Sequence, residues 1–265
     1  FPFALLTFLM TVYYRIDAVM IERMLGEQGE IQAGIYASGY RLLDACNILG
    51  FMFAALLLPM FSRMLEQKNA IKPLLDLSHN IMWICAVIGG ITFLFYRREI
   101  TQLLYVEADA YYAEVFGWLM VSFICISMVY IYGTLLTANG SLKILNKIAL
   151  GGMIMNILLN LFLIPKYKAT GAAMATVITQ VFVLGVHILY AYKMLLLPFD
   201  KMKWVIGFIY LILVIATCFL LRQSSVMWYW EMAICFAAGL GAAFLLKMIT
   251  WKNIVDTARL YIPRQ

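Results

Sequence analysis

Charge, histidine and long loops are all scarce in this chain. Only 13% of its 265 residues are charged while 65% are hydrophobic, and the mean hydropathy is +0.89. A soluble domain carries about 25% charged and 45–50% apolar residues, so water is excluded as the main solvent. Two histidines are too few for an imidazole metal cluster. The five cysteines (Cys46, Cys85, Cys125, Cys218, Cys235) lie within apolar runs and lack metal-ligand spacing, so they read as small apolar residues. No metal or other cofactor is expected. Gly-rich phosphate loops and serine nucleophile elbows are missing, and no loop exceeds about 20 residues, which leaves no room for a soluble catalytic domain. The chain is read as a non-enzyme. Its net charge of +6 is scattered over short loops, which argues against a nucleic-acid partner.

What is present is a series of apolar blocks of about 20 residues, each long enough to cross a hydrocarbon core of about 30 Å. The runs are continuous and do not alternate with period two, so strands are not expected. The fold class is an all-α, polytopic membrane bundle of about eight transmembrane helices. The spans are 1–24, 34–60, 79–96, 115–137, 144–164, 171–192, 204–221 and 228–246, separated by breakers such as Pro73, Asn139-Gly140, Pro165 and Pro198. Residues 1–249 form the bundle, and 250–265 form a tail with Trp251, Leu260 and Tyr261 among charges. The stretch Ile100–Val106 reads as a short interfacial helix. Lys and Arg divide twelve to six between the two sets of loops and tail, which places the C-terminus in the cytoplasm.

Four charges stand inside the first two spans: Arg15 and Asp17, then Arg41 and Asp44. A charge near the bilayer centre costs about 2.5–3.5 kcal/mol on insertion scales, so it faces a partner or a wet cavity. Counted from the span ends, Asp17 lies level with Arg41, and Arg15 with Asp44. This predicts two interhelical ion pairs. Tyr40, Asp44 and Asn47 share one helical face and extend the polar stripe. Two readings stay open: structural salt bridges that lock the helices, or a cationic wall in which Arg15 or Arg41 meets an anionic substrate. Asn156 and Asn160, spaced i, i+4, are explained by interhelical amide bonds. His187 is either a buried neutral imidazole or a proton carrier. Tyr13, Tyr14, Tyr36, Tyr130 and Tyr132 read as an interfacial belt ahead of a sugar-stacking role.

The segment 156–176, NILLNLFLIPKYKATGAAMAT, resembles a junction found in polysaccharide flippases of the multidrug/oligosaccharidyl-lipid/polysaccharide exporter superfamily. The matching positions include Asn156, Asn160, Pro165, Tyr167, Gly171, Ala172, Ala173 and Thr176. Pro165 stops one helix, and Gly171 opens the next against close neighbours. Lys168 departs from the family's usual glycine. The stretches RIDAVMI and GIYASGYRLLD also resemble the start of the second half of such flippases. The resemblance implies the C-terminal half of a transporter of about 14 helices in the bacterial inner membrane, whose N-terminal half completes it. It further implies outward translocation of undecaprenyl-diphosphate-linked oligosaccharide by alternating access, with arginines toward the diphosphate. The alternatives are a cation-coupled multidrug exporter of the same superfamily, which needs an unpaired membrane carboxylate, or a membrane enzyme of glycan assembly. The genomic sequence upstream of Phe1 checks the half-transporter expectation, which requires about six further spans there.

Overall fold

The computed structural model describes residues 15–224 and 226–250. These residues form helices and turns without a strand. Helix α1 covers 15–24 of the described chain, and a single 3-10 turn at Gly26–Gln28 leads directly into α2 (Gly29–Glu66). Then follow α3 (Lys72–Phe95), the short α4 (Arg97–Leu104), α5 (Ala110–Ala138), α6 (Leu142–Met194), α7 (Lys201–Leu221) and α8 (Trp228–Leu245). Six of these helices are long and apolar enough to cross a membrane. The short helix expected at Ile100–Val106 falls largely within α4, with Leu103 and Leu104 exposed at its end.

The sequence places two spans where α6 runs for 53 residues, and the geometry reconciles the two. Lys168 adopts φ 54°, ψ −130°, which breaks the helix into two arms. The arms fold back on each other. A Cβ on Gly171 would lie 2.3 Å from the Leu163 carbonyl oxygen, and one on Gly152 would strike Val183 at 2.8 Å. Pro165, which lacks a backbone N–H, sits in the last turn of the first arm before the break at Lys168, and only glycine fits at 171. The α1–α2 turn is built the same way: a Cβ on Gly29 would fall 2.2 Å from the Glu22 carbonyl oxygen.

These two turns are tied together. Gln32 Oε1 accepts the Ala169 N–H (3.2 Å) and the Tyr111 hydroxyl (2.9 Å), and the Thr170 N–H donates to the Tyr111 oxygen (3.3 Å). Amides at the start of the second α6 arm thus find partners from α2 and α5 instead of remaining orphaned.

Helix α5 runs through the middle of the bundle, between α2, α3 and α6. Phe116, Leu119, Met120, Tyr132 and Leu135 on it are buried. Its start is capped by Asp109, whose carboxylate accepts the Tyr111 and Tyr112 amides (2.9 and 3.0 Å). Helices α7 and α8 pack on each other and on α3. Asp76 on α3 binds both Lys72 (2.8 Å) and the largely buried Lys203 of α7 (2.7 Å). The Trp83 indole donates to Gly207 O (3.1 Å), and Asn80 to Met248 O (2.8 Å).

Lys168 stands in a conformation that L side chains avoid and glycine adopts freely. Lys168→Gly should therefore raise stability by about 1 kcal/mol, and Gly171→Ala should lower it, both read as thermal unfolding in detergent.

Candidate functional site

The charges on the first two described helices do not form the expected pairs. Among the described residues the ion pairs are Lys72–Asp76, Lys203–Asp76 and Arg222–Glu99. Asp17 is buried, 3% exposed, and its partners are neutral. Oδ2 accepts the Tyr36 hydroxyl at 2.6 Å and the Thr176 hydroxyl at 2.9 Å, while Oδ1 accepts the Asn160 amide at 2.6 Å. Asn160 also donates to Asn156 Oδ1 at 3.2 Å. One carboxylate thus gathers α1, α2 and both arms of α6.

The mispairing has a simple cause. The tight turn lets α2 begin at Gly29 rather than at residue 34. Tyr36 then lies seven residues after the start of α2, as Asp17 lies seven before the end of α1, so the two are level. Arg41 is five residues farther along, about 7.5 Å at 1.5 Å per residue, and it sits on an exposed face of α2. Depth alone carries no information about azimuth. Tyr36, Tyr40 and Leu43 face inward, while Arg41 follows Tyr40 by about 100° around the helix.

Arg15 and Asp44 do come together, though without an ion-pair contact. With Tyr40, Asn47, Ile48, Phe51 and Tyr130 they line a cavity of about 370 Å³. Its walls are α1, α2 and α5. Asn47 Oδ1 is buried there with no hydrogen-bond partner among the described residues. The cavity offers a cation, an anion, an amide and two phenol rings, a set that suits a polar and partly anionic ligand. Phe51 and Tyr130 also belong to a second, neighbouring cavity of about 390 Å³, reached by His187 and Gln180 of the second α6 arm. His187 Nδ1 is 2.8 Å from its own Val183 carbonyl, so that nitrogen is tied to its helix.

The Asp17 cluster is the part that sequence reasoning missed. Asn156 and Asn160 were legible as a polar pair but not as partners of Asp17. Thr176 appeared only as a motif position, and Tyr36 as a belt residue. The signal was the i, i+4 asparagine spacing opposite a lone acid. Its donor set is one carboxylate with hydroxyl and amide oxygens, and Asn160 Oδ1 is buried with no hydrogen-bond partner among the described residues. A single negative charge in dry surroundings is neutralised by a proton or a monovalent hard cation; a divalent one would leave excess positive charge. Pro165 and Gly171 shape the α6 turn above this cluster. Tyr13 and Tyr14 lie outside the described residues, as does the tail from residue 251.

Tyr36→Phe removes one of the two shortest bonds to the carboxylate and should cost about 1.5–3 kcal/mol, the range for a hydrogen bond to a charged group. In an Asp17→Asn background the same change should cost well under half as much, as a double-mutant cycle by denaturation in detergent would read.

No curated protein sequence matches the chain. One protein family does, described as Lipid II flippase MurJ, over residues 1–247. The match supports the flippase resemblance and falls on the lipid II family, not specifically on the polysaccharide branch. It covers every described helix and both cavities, so the chain belongs to the MurJ family of lipid II flippases, which are transporters and not enzymes.

Proposed function

We propose that the chain translocates a polyprenyl-diphosphate-linked saccharide, of the lipid II class, across the bacterial inner membrane by alternating access. The observation that carries this reading is the cavity of about 370 Å³ on α1, α2 and α5, which presents Arg15 outside the ion pairs found among the described residues. An arginine so placed is expensive in lipid and is kept for a ligand of opposite charge, which a diphosphate supplies bidentately. Asp44 on the same wall limits how tightly the anion binds, so that it can leave. Tyr40, Asn47 and Tyr130 supply hydroxyl and amide groups for the first sugar. Arg41, exposed on α2, forms part of the same path in this reading. The lysine and arginine bias puts the C-terminal end in the cytoplasm. The open side of the cavity faces a second helical half, with which this one rocks.

Asp17 supports a coupling role alongside. The rival reading of a cation-coupled drug exporter rested on an acid without a basic partner, and Asp17 has none among the described residues. In the flippase reading the same group takes up a proton or a monovalent cation and links its binding to the packing of α1, α2 and α6. A membrane enzyme of glycan assembly finds no catalytic loop among the described residues.

The test is lipid-linked saccharide flipping in proteoliposomes that contain the full-length transporter. Arg15→Gln should reduce the initial rate at least tenfold with protein abundance unchanged, and Arg15→Lys should recover part of it. Loss of folded protein in both would make Arg15 structural. Asp17→Asn should remove the dependence of the rate on an imposed sodium or proton gradient; persistence of that dependence would dismiss the coupling role.

A further inference from the structure

We infer that Cys218 and Cys235 are a site of disulfide formation that joins α7 to α8 near their shared turn. The inference rests on the orientation read from the lysine and arginine bias, which puts that turn on the extracytoplasmic side. It does not depend on what the Arg15 cavity binds.

Spacing in the sequence gives no reason to pair these two residues, but packing does. Cys218 lies three residues before the end of α7, and Cys235 seven after the start of α8. Their sulfurs are 3.2 Å apart, and a bond of about 2.05 Å needs only a small further approach. Both side chains are buried, at 0% and 1% exposure. Contacts on either side hold them there. Deeper in the pair, the Tyr210 hydroxyl donates to the Gly239 carbonyl at 3.2 Å. Toward the turn, the Ser224 hydroxyl donates to Glu231 at 2.8 Å, and Arg222 is tied to Glu99 of α4 at 2.7 Å. Neither helix can slide and part the sulfurs without breaking these contacts.

The compartment decides what two such thiols become. As thiols they gain only a weak S–H bond. In the cytoplasm they stay in that form, whereas on the extracytoplasmic side a pair so placed is oxidised and stays oxidised. The oxidant is a protein disulfide of that compartment. One cysteine thiolate attacks it, which forms a mixed disulfide and releases one oxidant sulfur. The second cysteine then displaces the other sulfur. The chain gains one S–S bond, and two electrons and two protons pass to the oxidant, which ends as a dithiol. In the packed bundle Thr92 of α3 lies against Cys218, with Oγ1 3.9 Å from Sγ. The exchange therefore precedes docking of the α7–α8 pair on α3, and docking then shields the bond from reductants.

Trypsin gives a direct reading, because Arg222 lies between the two cysteines. Peptides 204–222 and 223–247 stay together only through a sulfur–sulfur bond. Full-length transporter is taken from aerobically grown cells, acid-quenched, and alkylated in denaturant before digestion. The linked pair should appear two hydrogens below the summed mass of the free peptides, and dithiothreitol should separate it. The same reductant should lower the thermal midpoint of the unaltered protein by several degrees and leave that of Cys218→Ala/Cys235→Ala unmoved. Gln223→Cys, at an exposed position beside the turn, should react in that double-alanine background with a membrane-impermeant maleimide added to intact spheroplasts. Alkylation of Cys218 and Cys235 as free thiols, or an equal response of both proteins to dithiothreitol, overturns the inference. If Gln223→Cys is labelled while both thiols are free, the orientation stands and the disulfide alone falls. If Gln223→Cys is protected until the membrane is opened, the orientation falls and the inference falls with it.

Discussion

The arrangement of α1, α2 and α6 depends on one constraint: the Asp17 carboxylate must be satisfied far from water. An isolated carboxylate transferred to an apolar interior without partners costs many kcal/mol, and a bundle in lipid cannot supply those partners from solvent. The chain solves this with three neutral donors, Tyr36, Asn160 and Thr176, each from a different helical segment. Every one of these bonds fixes a register. Tyr36 sets α2 against α1, Asn160 sets the first arm of α6, and Thr176 sets the second. The tight turns at Gly29 and Gly171 follow from that register, because looser loops would slide the donors out of reach.

A charge neutralised only by dipoles behaves differently from one in a salt bridge. A basic partner would hold the carboxylate ionised and closed to other cations. Hydroxyls and amides stabilise it less and can reorient. The local geometry is therefore responsive to whatever neutralises Asp17, and two of the responding elements, α1 and α2, also wall the Arg15 cavity. Arg15 lies two residues from Asp17 on the same helix, so a change at Asp17 reaches the Arg15 cavity without a long pathway.

Much of the bundle was legible because hydropathy in a membrane chain is a strong signal. The span limits near Pro165, Gly171 and Pro198 could be read from residues that cannot continue a helix. The short α4 showed in Ile100–Val106. The pairing of charges could not be read, for two reasons visible in particular residues. The start of α2 moved to Gly29 because a glycine there permits contact with the Glu22 carbonyl, a three-dimensional fact hidden in a sequence that also offers Gly34. The orientation of Arg41 depends on which face of α2 meets α5, and that is set by the packing of Tyr40 and Leu43. Asn156 and Asn160 were visible as a pair, but their target was 140 residues away in sequence. The two cavities were invisible for the same reason: Phe51, Tyr130 and His187 have nothing in common until α2, α5 and α6 are brought together.

Helices α7 and α8 stand apart from this arrangement. Their main contacts are with each other and with α3, through Asp76–Lys203, Trp83–Gly207 and Asn80–Met248. The pair therefore hangs mainly on α3, with a further tie from Arg222 at the end of α7 to Glu99 of α4. A tilt of α3 carries both helices with it as a flap, whereas a rearrangement around Asp17 reaches them only after passing through α5 and α3. Two mechanical units follow from this pattern of attachment: a block knotted together at Asp17, and an outrigger carried by α3.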